Sequence, residues 1–121
     1  MSRQPAYDLD GFTELAGELV DRIPPRLCRN LNGGFMVLPE AKKEDEFYIM
    51  GEYLEDPILG CYIVFYYGSF AAVLDDEPAE VWREELYETV LHELRHHLEL
   101  MAGVDDLARE ELEELARLKG K

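Results

Sequence analysis

Residues 78–101 read PAEVWREELYETVLHELRHHLELM, and the pattern of this segment predicts the main helix of the fold. Its apolar side chains recur at helical spacing and form one stripe. The stripe consists of Val90, Leu91, Leu94, Leu98 and Met101. Acids just before the segment and a proline in its first turn are typical of a helix N-terminus, and Gly103 is typical of a helix end. The pattern predicts one long helix from Pro78 to about Met101.

Two further amphipathic segments flank this helix along the chain. Residues 10–23 carry apolar side chains at helical spacing, with Asp10 as the expected N-cap and Pro24-Pro25 as the interruption. A short helix is predicted over residues 26–31, and a last helix over residues 106–119. The chain therefore begins and ends with helices that need a common core.

The strands are predicted between these helices. Short apolar runs bounded by turn residues occur at 35–38, 47–54 and 60–67, and the charged segment 41–46 is expected to be a loop. The order of helix, strands, helix and helix predicts an α+β fold, and the length predicts a single domain over residues 1–121.

The composition excludes several classes of partner. The chain has 121 residues and a formal net charge of −15, which repels nucleic-acid phosphates and anionic membrane surfaces. Residues 58–74 lack charges over 17 positions, but their glycines and β-formers favour a buried strand, a turn and a second extended piece over a membrane span. Two cysteines without a CxxC pair, and no apolar signal segment, predict a cytoplasmic protein.

Residues 92–96 read HELRH, which is the pattern HExxH. Positions i and i+4 lie on one helix face, so the imidazoles of His92 and His96 can converge on one Zn²⁺. Glu93 is near enough to act as general base toward a water whose pKa zinc lowers to about 7. The two histidines fall opposite the apolar stripe, so the alternative is a solvated polar face with two idle histidines. His97 points about 100° away from His96, as a neighbour rather than a ligand.

A catalytic zinc site usually has three protein ligands and a water. The candidates for the third ligand are Glu99, Asp105 and Asp106. Glu99 shares the histidine face but lies nearly two turns beyond His92. Asp105 and Asp106 follow Gly103, where the chain can leave the helix and fold back. Either aspartate could instead be the N-cap of the last helix.

The chain resembles the small single-domain bacterial zincin-like metallopeptidases, or minimal zincins, in several motifs. These motifs are the proline-rich end of the first helix, the turn Asp56-Pro57-Ile58-Leu59-Gly60, the strand ending Tyr66-Tyr67-Gly68-Ser69, the run from His92 to His97, and Val104-Asp105-Asp106. The family pattern is roughly HExxHxxGxxD. Here Glu99 stands at the glycine position, and residues 103–106 match GxxD about one helical turn late.

The resemblance implies a zincin-like fold and a zinc cofactor. The fold would have an N-terminal helix, a small mostly antiparallel sheet, the HExxH helix and a C-terminal helix. The resemblance makes Asp106 the third ligand, beside His92 and His96. An incomplete ligand set, or substitution by Glu99, remains the alternative.

The predicted function is hydrolysis of peptide bonds by metal-activated water, with Glu93 as general base. In zincins an edge strand beside the metal helix holds the substrate, and the strand Cys61–Tyr67 or its neighbour is the candidate. The alternative is a non-catalytic metal-binding or protein-interaction module on the same fold, because the chain is short for a protease. The expected partner is a peptide or protein substrate, with no nucleic acid and no membrane, and the oligomeric state stays open.

Overall fold

The computed structural model describes residues 4–104 and 106–119. The helices are α1 (Leu9–Asp21), α2 (Tyr67–Val73), α3 (Ala79–Ala102) and α4 (Leu107–Lys119), with a 3₁₀ turn at Pro25–Cys28. The strands are β1 (Gly34–Leu38), β2 (Lys42–Glu44), β3 (Phe47–Ile49), β4 (Gly51–Asp56) and β5 (Gly60–Tyr66). The predicted α+β class is confirmed, and α3 is the long helix expected from residues 78–101.

Two small sheets lie between α1 and α3 in the chain. The larger has the strand order β1-β5-β4, in which β5 is central. β5 pairs in parallel with β1 and antiparallel with β4, so that Ile63 lies opposite both Phe35 and Tyr53. β2 and β3 form a separate antiparallel pair. Among the described residues, two of the three strand pairings are antiparallel, and the three-stranded sheet itself has one pairing of each kind.

The prediction of one strand over residues 47–54 is wrong in one respect, because these residues form two strands in different sheets. The turn residue Asp45 has a φ of 56°, which reverses the chain and pairs β2 with β3. The segment 41–46, predicted as a loop, thus contributes β2. Met50 separates β3 from β4, and its carbonyl accepts the Tyr66 N–H at 3.0 Å. The sequence alone showed one continuous β-forming run across this break.

Three local predictions also need correction. The N-cap of α1 is Asp8 rather than Asp10, because the helix begins at Leu9 and the Asp8 carboxylate accepts the Gly11 N–H at 2.7 Å. The short helix predicted over 26–31 is the 3₁₀ turn Pro25–Cys28. The second extended piece expected before residue 74 is the helix α2. Across residues 4–104 and 106–119, no helix is both long enough and apolar enough to cross a bilayer.

The core is built around Trp82 of α3, which is fully buried. Its ring lies within about 6 Å of the rings of Phe12 on α1 and Phe70 on α2, at centroid distances of 6.0 and 6.3 Å. The indole N–H donates to the Leu74 carbonyl at 2.8 Å, so this buried polar atom is satisfied. The aromatic cluster fixes one side of α3 against α1 and α2, and β4 lies against another side.

The C-terminal helix is attached to α3 and to the 3₁₀ turn. Leu115 of α4 is buried in the core, and two ion pairs join α4 to the segment after α1. Arg26 pairs with Glu114, and Arg29 pairs with Glu111 at 2.5 Å. The second pair is largely screened from water, so it contributes more than a typical exposed pair would. These contacts place α4 beside the C-terminal half of α3.

Gly51 permits the close approach of β4 to α3. A Cβ at this position would lie 2.7 Å from Thr89 Cγ2 and 3.2 Å from the Val64 carbonyl oxygen. We expect Gly51→Ala to lower the free energy of unfolding by about 1–3 kcal/mol through overpacking, and Thr89→Ala to restore part of the loss. Denaturant unfolding measures both effects. Gly17→Ala is the control, because nothing lies within 4 Å and the change should stabilise α1 by about 0.5–1 kcal/mol. A harmless Gly51→Ala would contradict the close contact.

Candidate metal centre

The side chains of His92 and His96 face each other on the exposed side of α3. Their Nε2 atoms are 3.2 Å apart, and their rings are nearly perpendicular, with centroids 4.7 Å apart. A tetrahedral zinc ion with Zn–N bonds of about 2.0–2.1 Å places two ligand nitrogens about 3.3–3.4 Å apart. The observed separation therefore suits two nitrogen ligands of one zinc ion.

The surroundings of His92 favour its neutral form. Partial burial, and then the charge of His96 nearby, hold the pKa of His92 below its ordinary value. Glu99 acts in the opposite direction. A neutral imidazole is the form that binds a metal, so this electrostatic setting is compatible with a ligand role.

Glu93 occupies a different face of α3 from the two histidines. Its side chain is buried, with 8% of the residue exposed. Burial, reinforced by the nearby charge of Glu52, raises the pKa of Glu93 to about 7, and a hydrogen bond from the Tyr53 backbone opposes this rise. A carboxyl with such a pKa is suited to accept and release a proton near neutral pH.

The raised pKa has a consequence for the stability of the metal-free protein. Folded Glu93 binds its proton more tightly than the unfolded chain does, so stability falls as pH rises from about 4.5 to about 7. We expect Glu93→Gln to raise the free energy of unfolding by roughly 1–3 kcal/mol at pH 8 and to leave it nearly unchanged at pH 4. The amide keeps an acceptor for Tyr53 and removes the buried charge. Chelator-treated protein unfolded at both pH values tests this, and an equal effect at pH 4 and pH 8 would contradict it.

A cleft separates the histidine face of α3 from strand β4. Gly51, Glu52 and Tyr53 of β4 line it opposite Glu93 and His96. β4 lies at one end of the three-stranded sheet, whereas β5 is paired on both sides. The strand Cys61–Tyr67 named from the sequence is therefore central, and its neighbour β4 is the edge strand beside the candidate centre.

Glu52 is a residue of the cleft that sequence reasoning missed. Its carboxylate accepts hydrogen bonds from Tyr66 at 2.5 Å and from Lys42 at 2.6 Å. Burial of the Tyr66 hydroxyl, followed by this contact, raises the pKa of Tyr66 to about 12. An acid inside the otherwise apolar run of residues 47–54 was the available signal in the sequence.

The structure gives the positions of two of the three candidates for the third ligand. A Glu99 oxygen lies 3.7 Å from Nδ1 of His96, on the side of the ring away from His92, and its other oxygen lies 3.4 Å from Arg95. Asp106 is exposed and immediately precedes α4. Asp105 lies outside the described residues. Among the residues that the structure describes, no three His, Cys, Asp or Glu side chains come together as a metal-binding group.

Comparison with known proteins identifies the family of this chain. The model of the zincin-like metallopeptidase family matches residues 36–118, which is more than half of the chain. The chain belongs to this family. The matched residues of this zincin-like protein run from β1 through α4 and include both histidines and Glu93. The family resemblance stated from the motifs is thus confirmed.

Solved structures include a relative of this zincin-like chain. It is similar to a conserved hypothetical protein from the bacterium T. thermophilus, with 39% sequence identity and a TM-score of 0.71. The match covers 81% of this chain and 100% of that chain. No curated protein matches the chain. The comparisons therefore support a metallopeptidase family and its fold.

Proposed function

We propose that the protein is a zinc-dependent peptidase whose single zincin-like domain spans the chain. The observation that carries the proposal is the 3.2 Å separation of the His92 and His96 Nε2 atoms, next to a buried Glu93 and an edge strand. His92 and His96 are the proposed zinc ligands. Membership of the zincin-like metallopeptidase family supports the same chemistry.

Glu93 is the proposed general base. Zinc, when bound, polarises a carbonyl and lowers the pKa of water. A Glu93 carboxylate oxygen takes the proton of the attacking water and then delivers it to the nitrogen of the leaving amine. The burial that raises its pKa to about 7 makes both transfers compatible with neutral pH. The Tyr53 backbone hydrogen bond orients this carboxylate at the cleft.

Strand β4 is the proposed binding site for the substrate backbone. A peptide added beside an edge strand is aligned by main-chain hydrogen bonds, with alternate side chains pointing into the cleft. The acidic side chains that line the cleft are Glu52 and Glu93, and the adjoining pocket along α3 adds Glu85, Glu88 and the basic Lys119. Because carboxylates predominate, we propose that basic residues near the scissile bond favour binding.

Asp106 is retained as the proposed third ligand. It lies after the end of α3 and directly before α4, and the family resemblance implies this role for it. Glu99 lies at Nδ1 of His96, the nitrogen that does not face His92. A carboxylate in that place orients a ligand histidine rather than replacing it. The proposal therefore assigns ligation to Asp106 and orientation of His96 to Glu99.

A non-catalytic metal-binding or protein-interaction module is the second candidate. It is favoured by the absence of an assembled group of three ligands in the described part of the chain. Such a module would bind zinc through His92 and His96 without turning over a peptide. For both candidates we propose a cytoplasmic location. The two free cysteines, Cys28 and Cys61, support it.

The experiment that separates the two candidates measures cleavage of a mixed peptide library by the zinc-loaded protein. The peptidase proposal predicts cleavage near neutral pH, enrichment of basic residues beside the cut, and loss of activity with a chelator. Readdition of zinc restores the activity. Stoichiometric zinc binding without any cleavage would support the non-catalytic module and reject the peptidase.

A further inference from the structure

His97, the buried histidine that follows His96 on α3, makes two hydrogen bonds that together connect three parts of the fold. Its Nδ1 lies 2.7 Å from the Tyr53 hydroxyl of β4, and its Nε2 lies 2.7 Å from the Arg29 carbonyl oxygen. Its side chain is completely buried. The rings of Tyr53 and His97 are also in contact, with centroids 5.4 Å apart.

The directions of these hydrogen bonds follow from the chemistry of the partners. A carbonyl oxygen only accepts, so Nε2 of His97 carries the hydrogen and donates to Arg29. In the neutral ring Nδ1 is then an acceptor, and the Tyr53 hydroxyl donates to it. Arg29 in turn pairs through its side chain with Glu111 of α4. His97, which lies on α3, thus links β4 to Arg29, and Arg29 is paired with α4.

Tyr53 is held at both of its ends by α3. Its backbone hydrogen-bonds to Glu93, and its hydroxyl donates to His97. Glu93 and His97 are four residues apart, about 6 Å along the helix axis, so one tyrosine can reach both. The run from 92 to 97 therefore contains two pairs with the same spacing. His92 and His96 form the outer pair, and Glu93 and His97 form the inner pair that faces β4.

We propose that His97 is a positioning residue that holds the edge strand β4 in place through Tyr53. The strand then keeps its register against Glu93 and the histidine pair. This inference rests on the proposed function for its effect on catalysis, because β4 is the strand proposed to align the substrate. Its structural part, the attachment of β4 to α3, stands on the contacts of His97 alone. A displacement of about 1 Å in such a strand can cost about 100-fold in rate.

The decisive variant is Tyr53→Phe, which removes one hydroxyl and keeps the ring. Its control is Tyr67→Phe, because the Tyr67 hydroxyl donates a hydrogen bond of the same 2.7 Å length, to the Tyr7 carbonyl, whereas the Tyr53 hydroxyl contacts His97 and also Cys61. We expect Tyr53→Phe to lower kcat/KM by about 10- to 100-fold, chiefly in kcat, with zinc affinity within about twofold of the wild type. Tyr67→Phe should change kcat/KM by less than about threefold. Equal losses in the two variants would overturn the proposal, because they would indicate a general structural effect.

Amide hydrogen exchange tests the positioning without any peptidase activity. We expect exchange of the β4 amides, residues 51–56, to become at least about tenfold faster in Tyr53→Phe and to stay unchanged in Tyr67→Phe. Unchanged exchange in both variants would overturn the proposal. If the wild type cleaves no peptide, the proposed function fails, and exchange at β4 still decides the role of His97.

A conservative substitution at position 97 provides a rescue test. The amide of His97→Gln has one acceptor and one donor group, so it can still bridge Tyr53 and Arg29. We expect this variant to keep β4 exchange within about threefold of the wild type. Exchange as fast as in Tyr53→Phe would contradict a role that depends on the two hydrogen bonds.

Discussion

Glu93→Gln is expected to lower kcat for peptide cleavage by about 1,000-fold, within the range of about 10²–10⁴ that a general base contributes. The amide is nearly the same size as the carboxylate and can still accept the Tyr53 backbone hydrogen bond. It cannot take a proton from water. Zinc affinity should stay within a few-fold of the wild type, because Glu93 lies beside the two histidines as the proposed base and is not one of the proposed zinc ligands.

The control for this variant is Glu84→Gln, an exposed acid on the same helix. It removes the same charge from α3 at a position outside the cleft, so its activity should equal that of the wild type. Steady-state kinetics of both zinc-loaded variants on one cleavable peptide provide the comparison. Retention of more than about a tenth of the wild-type kcat by Glu93→Gln would reject Glu93 as general base.

His96→Ala is expected to weaken zinc binding by about 100-fold or more. A structural zinc site is worth about 10–16 kcal/mol in total, so the loss of one of three protein ligands is expected to cost at least about 3 kcal/mol. Asp106→Asn should weaken binding by a similar factor if it supplies the third ligand. Glu99→Gln, which removes only the carboxylate at Nδ1 of His96, should cost about tenfold. Competition with a chromophoric chelator measures all three affinities.

Arg95→Ala is the control for these ligand variants. Arg95 lies directly before His96 on α3 and is exposed, and its pairing with Glu99 at 3.4 Å involves no proposed ligand. Its removal should change zinc affinity by less than about threefold, since exposed ion pairs contribute little. If His96→Ala and Arg95→Ala bind zinc with equal affinity, His96 is not a ligand.

The features predicted most accurately from the sequence depend on local spacing. α3 follows from apolar residues at helical intervals, and the convergence of His92 and His96 follows from their separation by four residues. Each of these depends on the geometry of one helix, which the order of residues along the chain largely determines.

The features that sequence reasoning missed depend on contacts between distant parts of the chain. Nothing local separates β3 from β4, because the break at Met50 arises from pairing of the two strands with different partners. The roles of Glu52 and Tyr53 require β4 to lie against α3. The partners of His97 are Arg29 and Tyr53, which are 68 and 44 positions away. Pattern reasoning identified His97 as a neighbour of the site and gave no partner for it.

The identity of the third ligand likewise depends on contacts between distant parts of the chain and not only on local spacing. The sequence placed three acids after the HExxH motif, and their approach to the histidines depends on the path of the chain after Gly103. α3 continues to Ala102, so Glu99 stays on the helix at His96 while Asp106 lies beyond the helix end. The position of Asp106 relative to the histidines is therefore set by the packing of α4 rather than by spacing.

X-ray absorption spectroscopy of the zinc-loaded protein tests whether His92 and His96 bind the metal. We expect one zinc ion per chain, with two imidazole nitrogens at about 2.0–2.1 Å, the remaining ligands oxygen, and one imidazole lost in His96→Ala. Sulfur at about 2.3 Å would place the metal at Cys28 or Cys61 instead. That result, or a protein that takes up no zinc, would contradict a metal centre at His92 and His96.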